Sequence, residues 1–180
     1  MTIMNSNAQN EIFKEISIRD LNDNVVKLIA DDWMLITAGQ IDSCNMMTAS
    51  WGGIGNLWNE PVAFIFIRPQ RYTYQFTEKE EYFTLTFFEE KDRSILNFCG
   101  STSGKFVNKI SETGLIPIAT DLGNVYYKQA RLVIECKKIY SDNIEYQGFV
   151  DKSIPESVYP KNDFHKMYIG KIIKVLIREN

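Results

Sequence analysis

The chain has 180 residues, 44% hydrophobic and 13% aromatic, with a formal net charge of −3. That length supports one domain with a substantial core, and the slightly acidic balance argues against nucleic acid or an anionic membrane as partner, since either asks for a basic face. Three scattered cysteines (Cys44, Cys99, Cys136), no CxxC pair and one histidine, His165, argue against a disulfide framework, a structural zinc or an iron–sulfur cluster, and point to a reducing, cytoplasmic setting.

One domain is expected over 1–180, with 1–11 as a loose N-terminal arm. Residues 1–10 are polar and lack the apolar stretch of a signal peptide. Ile12 to Ile18 alternates weakly, as an arm lying across the domain would. Trp33 to Ile41 reads as a strand, Asp42-Ser43 as a turn, and Asn45 to Trp51 as the returning strand, broken by Gly52-Gly53. Pro61 opens a strand ending on Arg68. Its run Val62 to Ile67 is the longest apolar stretch, far too short to span a bilayer. Thr73 is placed to cap a short helix through Glu80. Tyr82 to Phe88 is a further strand, and Asp92 is the expected N-cap of a helix ending near Gly100. The polar connection Ser101 to Lys105 leads to a second helix, with Gly114 beyond its end. Val125 to Tyr140 reads as one long strand, because Ala130, Leu132, Ile134 and Cys136 alternate. Ser141 to Asn143 is the expected turn, Ile144 to Val150 the return, 152–163 a loop, and Tyr168 to Ile177 the closing strand. Strands that outnumber short helices predict a mostly β barrel.

Four clusters carry polar chemistry. Asn45 to Trp51 combines an amide, two hydroxyls and an indole on one strand; taken alone it also reads as a plain edge strand. Arg68-Pro-Gln-Arg-Tyr-Thr73 sets two guanidinium forks beside a helix start, a phosphate-binding arrangement, or else surface arginines paired with Glu78 to Glu81. Cys99-Gly-Ser-Thr-Ser-Gly-Lys105 has the wrong glycine spacing for a P-loop, and Phe106 follows the lysine, which excludes that route to nucleotide hydrolysis. His165 has no nucleophile elbow or marked thiol to serve, so nothing local marks a catalytic triad.

In this order, Asn45 to Trp51, Pro61 to Thr73, Tyr82 to Phe88, Cys99 to Lys105 and His165 to Gly170 resemble the flavin reductase-like, FMN-binding split-barrel family, most closely its flavoredoxin-type members. The resemblance implies a Greek-key split β-barrel with a few short helices, forming a homodimer with an FMN near the subunit interface in each of two sites. It implies that Asn45, Met46, Met47, Thr48 and Ala49 line the isoalloxazine edge or ribityl chain, and that Ser50 and Trp51 shape the pocket. It implies that Arg68, Arg71 and Thr73 hold the phosphate or ribityl end, while Ser101, Ser103 and Lys105 approach from the helix connection. The activity implied is electron transfer from NAD(P)H to flavin or a protein acceptor; the alternative is an FMN electron carrier or sensor. A relative holding haem or no cofactor is a third reading. No GxGxxG is present, so a nicotinamide nucleotide would bind beside the flavin.

Overall fold

In a computed structural model of the chain, residues 12–179 are described. The loose arm expected over 1–11 falls outside the described residues, and within the arm expected over Ile12 to Ile18, Phe13–Ile16 forms a strand, β1, paired antiparallel with the last strand. The hairpin β2 (Met34–Gln40) and β3 (Ser43–Ala49) turns at 41–42, one residue earlier than the sequence suggests. A second hairpin, β4 (Gly52–Leu57) and β5 (Glu60–Ile67), turns at Trp58-Asn59, both at positive φ. Gly52-Gly53 thus opens a strand rather than breaking one. β6 (Tyr82–Phe87) follows, then the small hairpin β7 (Pro117–Ala119) and β8 (Val125–Tyr127), and the long pair β9 (Leu132–Asn143) and β10 (Lys166–Arg178).

The expected single strand 125–140 is two. Its alternation runs through a tight turn in which Ala130 N–H returns to Tyr127 O at 3.0 Å. The expected return over 144–150 contains a 3₁₀ turn, Tyr146–Gly148, because β9 takes β10 as its partner. The expected loop 152–163 contains a short helix.

β1 to β6, β9 and β10 form one sheet in the order β3-β2-β6-β9-β10-β5-β4, with β1 flanking β10. The order β6-β9-β10-β5 is a Greek key, since β5 returns beside β10 and connects to β6 over the top. β3 and β4 are the two ends of the path, joined only through Ser50 and Trp51, so the barrel is split at this seam. The inner face buries Ile36, Met47, Ile65, Ile67, Phe83, Phe87, Ile134 and Tyr168 among others. At roughly 25 cal/mol per Å² of apolar area, such burial is the main force closing the sheet. On the opposite face of β2–β3, Leu35 and Met46 pack beneath α3 with Leu96 and Cys99.

Five α-helices occupy the connections among the described residues: α1 (Val25–Ala30), α2 (Thr73–Lys79), α3 (Arg93–Ser101), α4 (Lys109–Thr113) and α5 (Ser153–Val158). α2 and α3 both pack on β3. Asn108 caps α4 through Ser111 N–H at 3.2 Å, and Gly114 ends it at φ 68°, a left-handed conformation that glycine adopts freely. Thr73 and Asp92 do not donate or accept as caps: Thr73 is the first residue inside its helix, and Asp92 stands at the N-cap position without a side-chain bond. No helix among the described residues is long and apolar enough to cross a membrane.

Candidate functional site

The free edge of β3 is the axis of the site. Two lobes adjoin this strand, one at each end. The first, about 550 Å³, is lined by Ser43 to Met46, by Tyr72 and Phe76, and by Gly104 to Ile110. The second, about 240 Å³, is lined by Met47 to Trp51 with Phe66, Arg68, Arg71 and His165. The period-2 pleat separates the side chains of the strand. Met47 and Ala49 join the barrel core, whereas Met46 lies on the α3 side.

Several polar side chains here hold the site together rather than open it. Asn45 is buried. Turned so that its amide oxygen faces α2, it accepts from Thr73 Oγ1 at 2.7 Å and from Thr73 N–H at 3.2 Å. A residue of β3 therefore caps a helix that lacks a cap of its own. Gly104 crosses directly over Asn45, where any Cβ would overlap the amide. Thr48 donates its hydroxyl to Leu96 O at 2.5 Å, locking β3 to α3, and its side chain lies against Gly100.

The two arginines differ. Arg68 bonds Asp163 Oδ2 at 2.5 Å, donates to Val158 O at 3.2 Å, and stacks over Tyr159. Gln70 shares the same carboxylate oxygen at 2.6 Å. Arg68 thereby anchors the segment between β9 and β10 over the second lobe, and it does not pair with Glu78, whose carboxylate takes Lys166 and Tyr168. The Arg71 guanidinium makes one hydrogen bond among the described residues, to Gly100 O at 2.8 Å. Burial pulls its guanidinium below the ordinary range, yet arginine stays charged in proteins. Its remaining donors are available to whatever enters the lobe.

His165 is buried and packs against Trp51, ring centroids 5.2 Å apart. Its Nδ1 lies 2.8 Å from Tyr159 Oη. The tautomer of the ring sets which of these two atoms donates. Burial, with the positive charge of Arg68 second, lowers the imidazole to about 4, so the ring is neutral near pH 7. Nε2 has no hydrogen-bond partner among the described residues.

Ser101, Ser103 and Lys105 divide differently from expectation. Ser101 donates back into α3, to Asn97 O at 2.9 Å, and Ser103 Oγ accepts Lys105 N–H at 3.3 Å. Neither serine lines a lobe, while Lys105 lines the first. The structure adds groups that motif reading missed: Phe66, Tyr72, Phe76 and above all Lys109, a buried lysine that donates to Met46 O and Cys99 O, both at 2.8 Å. Nothing in the sequence marks Lys109 as buried, since a lysine at a helix start is ordinarily solvated. All three cysteines are free, and burial raises the Cys44 and Cys99 thiols to about 11, which leaves them inert. Among the described residues no cluster of His, Cys, Asp or Glu could hold a metal ion.

The fold has solved relatives. Flavoredoxin of Desulfovibrio vulgaris (Miyazaki F) superposes with a TM-score of 0.65 at 23% identity, covering 92% of this chain and 76% of that one. An FMN-binding domain of a flavin reductases-like enzyme from Shewanella baltica OS155 gives 0.66 at 14% identity, covering 92% and 76%. The NADH:FAD oxidoreductase SgcE6 of Streptomyces globisporus C-1027 gives 0.63 at 14%, covering 82% and 78%. No curated protein matches the chain. The family described as flavin reductase like domain matches residues 27–180, from α1 through the end of β10. By that match, which spans the split barrel and both lobes along β3, the chain belongs to the flavin reductase like domain family.

Proposed function

We propose that this chain binds FMN along the free edge of β3 and works as an oxidoreductase through it. The observation that carries the reading is the convergence, in one groove, of an edge strand, a half-buried arginine with free donors, and a neutral histidine packed against Trp51. The groove suits a long, planar, anionic ligand. Aromatic rings at Trp51 and Phe66 offer flat apolar contact, and Arg71 offers a fork for phosphate. Lys109 reaches Met46 O on the side of β3 not paired with β2. Backbone groups of an antiparallel edge strand alternate between partner and free side. Thr48 therefore presents its N–H and C=O on that same side, where an imide-like edge can be read.

Bound FMN would supply the electron chemistry, and the protein supplies orientation and electrostatics. Arg71 holds the anionic end. The backbone of β3 and the apolar side chains orient the planar end. His165 lines the pocket as a neutral ring rather than a general acid, because it does not carry a second proton near pH 7. The donor we favour is NAD(P)H, as in the oxidoreductase named NADH:FAD among the relatives. The likeness to flavoredoxin favours the carrier alternative, reduced by a protein. Three free cysteines fit a reducing, cytoplasmic compartment.

The test is the absorption spectrum of the purified protein with FMN, followed under argon with NADH and NADPH. Loss of flavin absorbance at about 450 nm with either donor is the expected result. Retention of FMN with no bleaching by either would make the chain a carrier. No FMN binding would sink both readings.

A further inference from the structure

One lysine lining the first lobe is buried. Lys109 is 4% exposed, and its ammonium donates to two neutral carbonyls, Met46 O and Cys99 O, each at 2.8 Å. Asp42 shares the first lobe, yet no carboxylate forms an ion pair with Lys109 among the described residues. A buried charge without an opposite partner is costly, and an apolar side chain of similar size would fill the space at lower cost.

Its two acceptors show where the charge stands. Cys99 O belongs to the last turn of α3, where the helix carries partial negative charge. Met46 O lies on the free side of β3, at the point where the first lobe gives way to the second. Arg71 takes the next carbonyl of α3, Gly100 O, from the second lobe. The C-terminal end of one helix thus orients two cations, one toward each lobe. Lys105, the other lysine of the first lobe, is exposed, so its charge is screened by water. Lys109 is not.

We propose that Lys109 is a positioning charge that makes the groove hold two-electron-reduced FMN more tightly than oxidised FMN. The proposal rests on the FMN reading above. Two electrons and one proton convert FMN to FMNH⁻, so the ring gains one negative charge while the phosphate is unchanged. A fixed, desolvated cation on the β3 edge separates these two states, whereas a residue with only a packing role affects both alike.

The experiment is an anaerobic redox titration of protein-bound FMN, with dithionite as the electron source, beside the dissociation constant of oxidised FMN. Wild type is expected to raise the midpoint above that of free FMN. Lys109→Met and Lys109→Gln are expected to lower it by about 30 mV, the two-electron equivalent of about tenfold in relative affinity. Lys109→Arg, which keeps the charge, is expected to hold the wild-type midpoint. Equal weakening of oxidised and reduced FMN, with no change in midpoint, would overturn the proposal and leave FMN binding intact. Should neither neutral variant fold, a wild-type midpoint at or below that of free FMN overturns it. Wild type that binds no FMN overturns the earlier reading first, and this one with it.

Discussion

At the level of single residues, Arg68 and Arg71 look equivalent in sequence and are opposite in structure. Three residues apart, both end in the second lobe. Arg68 spends its guanidinium on Asp163 and Val158 O, and its ring partner Tyr159 in turn fixes His165. Arg71 gives up one donor to Gly100 O. On the proposed FMN reading, the phosphate would find its charge at Arg71. Arg71→Ala is expected to weaken FMN by about 10–100-fold, the worth of a charge-assisted hydrogen bond, and to leave riboflavin nearly unchanged. Arg68→Ala is expected to weaken both flavins alike, by loosening the segment between β9 and β10. Titration of each variant with FMN and riboflavin, followed by flavin fluorescence, measures both. Equal losses in Arg71→Ala would mean that this arginine, too, is structural.

At the level of elements, the site is a set of fastenings around β3. Thr48 ties it to α3, Asn45 to the start of α2, and Lys109 to α4. Much of this was legible in the sequence. The motif Asn45 to Trp51 located the strand. The run Val62 to Ile67 located the barrel wall. What sequence could not show is the use to which each polar group is put. Asn45, Thr48 and Thr73 read as ligands because their chemistry suits a ligand, yet their side chains satisfy one another and nearby backbone, a pairing made only by tertiary contact. The same limit applies to strand 125–140, where alternation cannot register a turn whose residues keep the period. Because Asn45 is the cap that α2 otherwise lacks, Asn45→Ala is expected to cost about 1–2 kcal/mol of stability. Gly104→Ala is expected to cost about 1–3 kcal/mol, since its methyl group must displace the Asn45 amide. Urea denaturation of each variant reads these values. If the two changes share one contact, the double variant loses less than the sum of the singles. Additive losses would show that the Gly104 crossing and the Asn45 cap are independent.

For the whole molecule, the seam between β3 and β4 leaves the outer edge of β3 without a strand partner among the described residues. Trp51 stands at this seam, 48% exposed, although its other side packs on His165. On the outer face, Trp58 is 59% exposed and meets Tyr140 edge-on at 6.0 Å. Between these points Phe64 and Phe66 are only half-buried, so aromatic surface runs from the second lobe to the tip of the β4–β5 hairpin. Clustered exposed aromatics of this kind mark association surfaces, and large aromatic side chains dominate the energy of such contacts. The homodimer that the family resemblance implies would cover this strip and set its second copy beside the free edge of β3. Light scattering is expected to give a mass twice the 20.9 kDa of one chain. Trp58→Glu would place a charge in the contact and is expected to weaken the dimer by at least about thirtyfold, the equivalent of a 2 kcal/mol anchor. If the second copy completes the groove, the monomeric variant also loses FMN affinity while its thermal unfolding stays near that of wild type at low concentration. A monomeric wild type that binds FMN at full affinity would show instead that one chain forms the whole groove.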